Sequence, residues 1–152
     1  MNKDFDKWNV EKKGIDKQEI RRDLFFYERE VWWCKLGVNI GVETDGKNDN
    51  YERPVLIIKK FNNAMLWIVP LTSKEKNSPH HMKVAHEAGV SWICLSQVRT
   101  VSTKRLLRKI GMIAEHDFEI AVEKIMDYVQ IGPRISAGSS EAEATNTRSI
   151  SG

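Results

Sequence analysis

Arg53-Pro-Val-Leu-Ile-Ile-Lys-Lys60, Phe61-Asn-Asn-Ala64 and Met65-Leu-Trp-Ile-Val-Pro-Leu-Thr-Ser73 run consecutively in this chain. Two apolar runs rich in β-branched residues flank an Asn-Asn turn, which is the pattern of an antiparallel hairpin. The unbroken Val55–Ile58 run suits a strand buried on both faces. Pro54 belongs at the start of that strand, where a missing N–H is tolerated. In such a hairpin the start of the first strand lies beside the end of the second, about 5 Å away. Arg53 and Thr72 are then neighbours, with Ser73 supplying a second hydroxyl.

Working outward, Glu30 to Leu36 is rich in Val and Trp and reads as a strand. The Gly- and Asn-rich stretch from Gly37 to Asn50 reads as a long loop. Residues 73–81 form a polar loop, with His80-His81 as a solvated pair. Met82 to Ala85 and Trp92 to Leu95 are short strands. Gln97 to Thr103 is a connection, and Thr103 caps a short basic helix, Lys104 to Lys109, ended by Gly111. Ala114 to Val129 has the spacing of an amphipathic helix, with Phe118, Ala121, Val122, Ile125 and Val129 on one face. Residues 3–23 are highly charged with scattered apolar positions and predict one or two short helices. Five short strands followed by a helix predict a small, twisted, partly open antiparallel β-barrel. The expected division is a helical N-terminal extension (1–28), a barrel domain (29–130) and a disordered tail (131–152) rich in Ser, Ala, Thr and Glu.

The 152 residues are 41% hydrophobic, enough for a real core. No apolar run approaches the ~20 residues of a membrane helix, and the N-terminus lacks a secretory apolar stretch, so a cytoplasmic protein with no membrane partner is expected. Cys34 and Cys94 sit in apolar runs and read as buried reduced thiols. No His, Cys or acid cluster has metal-ligand spacing, so neither metal nor cofactor is expected.

The net charge of +3 hides an asymmetry. Residues 59–110 carry ten Lys/Arg against Glu75 and Glu87, whereas residues 111–130 carry five acids against Lys124. The basic middle suits a phosphate polymer, with ordinary surface lysine as the competing reading. Arg53, at a loop–strand boundary, is placed to grip a phosphate bidentately, or to pair with Glu52 or Asp49 at the surface. Thr72 either contacts a ligand or bonds the local backbone of its turn. Glu43 leads towards Arg53 and is a candidate base, with Asp45 and Asp49 as competitors. Arg99 is a second candidate phosphate ligand, and Gln97 either joins it or is a structural amide.

These pieces, in order, resemble the MazF/PemK toxins of type II toxin–antitoxin systems. The matching segments are Arg29-Glu-Val-Trp-Trp-Cys-Lys-Leu-Gly37, Gly41-Val-Glu43, Gly46, Glu52-Arg-Pro-Val-Leu-Ile-Ile58 and Val69-Pro-Leu-Thr-Ser73. Leu95-Ser-Gln-Val-Arg-Thr-Val101, Lys104-Arg-Leu106 and Ile110-Gly-Met-Ile113 follow. The resemblance implies an SH3-like barrel, a homodimer, and metal-independent cleavage of single-stranded RNA. In that chemistry the 2′-hydroxyl attacks, leaving a 2′,3′-cyclic phosphate and a free 5′-hydroxyl. It implies that Arg53 stabilises the phosphorane or protonates the leaving oxygen, that Thr72 holds the scissile phosphate, and that Glu43 is the base. Ser73, Lys74, Gln97, Arg99 and Tyr51 are the expected RNA contacts. Loops 44–52 and 73–81 would set the recognised sequence, with Tyr51 as their aromatic. A cognate MazE-like antitoxin is implied as partner, with DNA contact only through that complex.

The departures are specific. Glu43-Thr-Asp-Gly46 replaces the family's Glu-Gln-x-Gly, the loop from Gly46 to Arg53 is longer, and Ser96 stands where many members carry an acid. Residues 1–28 and the tail lie outside the family pattern. A barrel that binds RNA, an antitoxin or DNA gyrase without cutting is the alternative reading.

Overall fold

Val55 to Ile58 is buried residue by residue, and alternate side chains serve different cores. Val55 and Ile57 join Trp32, Cys34, Leu36, Leu66 and Ile68, whereas Leu56 and Ile58 join Val31, Val69, Leu71 and Ile93. A strand has period two, so an unbroken apolar run is what a sheet covered on both faces requires. The computed structural model describes residues 2–131; the tail expected from 131 onward lies, but for Ile131, outside them.

Among the described residues the elements are α1 (Phe5–Lys17), β1 (Glu30–Lys35), β2 (Glu52–Lys60), β3 (Met65–Thr72), β4 (His81–His86), β5 (Gly89–Cys94), β6 (Arg99–Ser102), a 3-10 turn (Thr103–Arg105), β7 (Leu106–Met112) and α2 (Glu115–Val129). All the pairings are antiparallel. The strand order is β4-β5-β3-β2-β1-β7, with β6 also on β3. The free edge of β3 is shared: β6 pairs with its first half and β5 with its last two residues. That split bends the sheet towards a barrel without closing it, as the sequence predicts.

The expected β2–β3 hairpin forms, with Val55 opposite Pro70 and Leu56 opposite Val69. The same register carried two residues further sets Arg53 across from Thr72.

Several elements differ from expectation. The Gln97–Thr103 connection contains β6, because Thr100 and Val101 pair with Trp67 and Leu66. The expected Lys104–Lys109 helix is a strand. Ser102 rather than Thr103 is the cap, accepting from Lys104 N, and the helical turn stops at Arg105. Pairing with β1 then overrides the helix propensity of Leu, Arg and Lys, with Lys109 Nζ 2.6 Å from the Glu30 carboxylate and Arg108 over the Trp33 ring. Gly111 lies inside this strand instead of ending a helix; a Cβ there would stand 1.9 Å from Glu87 Oε2. His81 opens β4 rather than sitting in the loop.

The C-terminal helix packs Phe118, Ala121, Val122 and Ile125 on the sheet, but Val129, expected on the same face, is 81% exposed. The N-terminal extension forms one helix, capped by the Asp4 side chain accepting from Lys7 N, and Trp8 is its buried residue. No helix among the described residues is long and apolar enough to cross a membrane.

Candidate active site

The ends of four strands converge on one basic cavity of about 400 Å³. Arg53 enters it from the start of β2, Thr72 from the end of β3, His81 from the start of β4 and Cys94 from the end of β5. Register explains the convergence, since His81 faces Cys94 and Thr72 faces Trp92. The loop before β2 adds Asp45 and Lys47, and the loop after β3 adds Lys74 and Lys76. Four cations and one carboxylate thus line the cavity, which favours an anionic ligand.

Arg53 is held rather than free. Its Nε donates to the Asp45 carbonyl at 2.6 Å and its NH1 to the Leu71 carbonyl at 3.2 Å. These two bonds fix the plane of the guanidinium and leave its remaining donors for a ligand. Thr72 is 7% exposed, and its Oγ1 accepts from Lys74 N at 3.3 Å. The local-backbone role is therefore real. It uses the oxygen as acceptor, so the hydroxyl proton is still available to a phosphate oxygen.

His81 was invisible as a site residue in the sequence. Its Nδ1 is shielded from solvent without a hydrogen-bond partner. Lost hydration first, then the positive Lys76 and the neighbouring His80, push its pKa below the ordinary histidine value of 6.5, so the ring is neutral at neutral pH. Lys47 was missed too; burial first, then Arg53 and Lys74, lower its pKa. The only sequence signal for these two is their place within loops 44–52 and 73–81.

Both cysteines are buried free thiols. Burial pushes the Cys34 thiol up to about 12. It also raises that of Cys94, against the opposing pull of Arg53, Lys76 and Lys47.

The other expected site residues divide. Lys74 and Gln97 line the cavity, and Ser73 does not. Gln97 works as a clasp: its Oε1 accepts from Thr44 N and its Nε2 donates to Val42 O, fixing the loop to the β5–β6 turn. Tyr51 is buried against Trp8, with ring centroids 5.1 Å apart, and offers no face for stacking a base. Glu43 and Arg99 line a separate hollow beneath α1, with Arg105. There Glu43 Oε1 accepts from Ile40 N at 2.8 Å, and Arg99 NH1 reaches Asn39 Oδ1 at 3.5 Å. The fold therefore brings Arg53 and Thr72 together but not Glu43. Asp45 lines the cavity, yet its carboxylate is engaged by Asn39 N and Lys3. Among the described residues, no group of three or more His, Cys, Asp or Glu side chains is placed to hold a metal ion.

Comparison with known proteins agrees with this fold. No curated protein sequence matches the chain. The fold is similar to MazF from Deinococcus radiodurans, at 18% identity and a TM-score of 0.61, over 70% of this chain and 98% of that one. It is also similar to an endoribonuclease from a mycobacterial species in complex with its cognate antitoxin, at 13% identity and 0.57, over 72% and 100%. The MazE–MazF complex of Deinococcus radiodurans gives 14% identity and 0.57 over the same shares. The model of the PemK-like, MazF-like toxins matches residues 27–129. This span holds every strand among the described residues and all the cavity-lining residues, and the chain belongs to that family of type II toxin–antitoxin toxins.

Proposed function

We propose that this protein is an endoribonuclease that cuts single-stranded RNA by attack of the 2′-hydroxyl, without a metal ion. The observation that carries the reading is the pairing of a fixed Arg53 guanidinium with the Thr72 hydroxyl inside a cavity of lysines. Arg53 and Thr72 bind the two non-bridging oxygens of the scissile phosphate. The negative charge that builds on those oxygens in the phosphorane then meets donors already in place, which is where electrostatic catalysis gains most. Lys74 and Lys76 hold the flanking phosphates.

The 2′-oxygen forms its bond to phosphorus as its proton passes to neutral His81, while the P–O5′ bond breaks. Lys47, made more acidic by burial and by Arg53, is suited to return a proton to the leaving 5′-oxygen. The products are a 2′,3′-cyclic phosphate and a 5′-hydroxyl. Glu43, expected from the sequence as the base, takes no part in this scheme, because it lines the separate hollow beneath α1 and not the cavity.

The family supports three further parts of the reading: a homodimer, an antitoxin whose acidic segment covers the basic cavity, and DNA contact only through that antitoxin. Incubating the purified protein with a long single-stranded RNA in EDTA, then mapping 5′ ends, tests the proposal. Discrete ends that accept a kinase label without prior phosphatase treatment support it. Intact RNA at stoichiometric protein would instead favour the non-cleaving binder, the reading to which the displaced Glu43 points.

A further inference from the structure

The family match begins at residue 27, so α1 lies outside it, yet α1 is fastened to the loop that leads to Arg53. Trp8 covers Gly37, whose φ is +76°; a Cβ at that position would stand 2.0 Å from the indole. The same indole packs on Tyr51 at the far end of the loop. Both ends of the 37–51 loop are thereby clamped under one side chain that is 5% exposed. Glu11 pairs with Lys35 at 3.1 Å, and Lys104 Nζ donates to Asp16 O at 2.8 Å, so the helix is tied along its length.

Lys3, just ahead of the helix, reaches furthest. Its Nζ donates to the carbonyls of Asn39 at 2.6 Å and Gly41 at 3.3 Å, and lies 3.0 Å from Asp45 Oδ2. An ammonium has three donors, and all three are matched by this one loop. Asp45 Oδ1 in turn accepts from Asn39 N at 2.6 Å, and the Asp45 carbonyl accepts from Arg53 Nε at 2.6 Å. An unbroken chain of polar contacts thus runs from Lys3 through Asp45 to Arg53.

We propose that residues 3–17 form a positioning strap, in which Lys3 acts through Asp45 to hold the loop, and with it Arg53, in the working arrangement. The loop needs such help. It is rich in Gly and Asn, so ordering it is costly, and Lys3 adds three contacts to those made by the Lys47–Glu52 bridge and the Gln97 clasp. The strap also neutralises Asp45, the one carboxylate among the cavity-lining residues. Left unpaired, that charge would repel a phosphodiester.

The kinetic half of this proposal rests on the cleavage reading; the structural half does not. The test compares full-length Lys3→Ala, Lys3→Arg and Trp8→Ala with the wild type by amide hydrogen exchange and single-turnover RNA cleavage. In Lys3→Ala, exchange at Asn39 and Gly46 is expected to rise roughly tenfold, the loss typical of a charge-assisted hydrogen bond. Core amides of β2 and β3 stay unchanged, RNA binds more weakly against the unpaired Asp45 charge, and the cleavage rate at saturating protein falls by a similar factor. Lys3→Arg, which keeps the charge, recovers part of both effects. Unchanged loop exchange in both Lys3→Ala and Trp8→Ala overturns the strap. Faster exchange with an unchanged cleavage rate overturns the action on Arg53. A wild type that cuts no RNA sinks the cleavage reading, and the exchange arm still decides whether the strap exists.

Discussion

Arg53 donates its Nε proton to the carbonyl of Asp45 at 2.6 Å, a bond from strand to loop. The orientation of the guanidinium therefore depends on where the loop sits, and its second bond, to Leu71 O, depends on the neighbouring strand. A lysine ammonium has neither the planar fork nor the reach to keep both anchors and still face a ligand.

Arg53→Lys is accordingly expected to fail nearly as badly as Arg53→Ala. Removing a prepositioned donor to a developing oxyanion costs about 10²–10³ in rate. Both variants should lose cleavage on that scale in a single-turnover assay. Their melting temperatures should stay close to the wild type, because the side chain is half-buried at the cavity rim and packs in neither core. An Arg53→Lys variant within tenfold of wild type would show that charge alone is enough there.

Thr72 carries two roles on one atom. Its oxygen accepts from Lys74 N, and its proton is free for a phosphate. Thr72→Val keeps the shape and removes both, whereas Thr72→Ser keeps both and loses a methyl. The expected order of rate is wild type, then Ser within about fivefold, then Val lower by roughly 10²-fold. Equal rates for Val and Ser would remove the hydroxyl from the chemistry and leave Thr72 a turn residue.

How much of this was legible before the fold was known depends on which residues carry register. The Val55–Ile58 and Met65–Thr72 runs flank a short turn, so pairing follows from the pattern, and Arg53 beside Thr72 follows from pairing. Glu43 lies in a long loop with no register of its own. Its place is set by the Gln97 clasp and by α1, both tertiary facts. Tyr51 reads from sequence as an RNA-contacting aromatic for the same reason; its burial depends on Trp8, distant in sequence. Lys104 to Lys109 has helix-forming residues, and only the free edge of β1 makes it a strand. His81 was lost with the boundary of β4, because a strand end one residue from a polar loop has no local signature.

Glu43→Gln separates the two accounts of the base. Glu43 is exposed and accepts from Ile40 N, a bond that the Gln amide oxygen can keep. The expected outcome is a cleavage rate within about threefold of wild type and a pH profile of the same shape. A loss of 10²-fold or more with a vanished acidic limb would return the base to Glu43 and take it from His81.

The pH dependence follows from His81. Its folded pKa is depressed below the unfolded value of about 6.5. The groups facing it are Lys76 and His80 beside it, Cys94 opposite it in register, and Lys47, Lys74, Arg53 and Asp45 across the cavity. Cations dominate that set and oppose a further positive charge, in the same sense as lost hydration. The sign is then fixed. A base must be unprotonated, so cleavage is at plateau above the unfolded value and falls as pH drops through the folded one, with log rate approaching unit slope. Stability moves the same way: the unfolded chain binds the proton more readily, so the contribution present above 6.5 is lost as pH falls through the folded pKa. His81→Gln should lower the plateau and flatten the acidic limb, while RNA affinity measured on a 2′-deoxy substrate analogue stays near wild type. Ring-proton NMR of the wild type should give a His81 pKa below the ordinary histidine value of 6.5. An acidic limb that survives in His81→Gln assigns proton transfer to another group in the cavity.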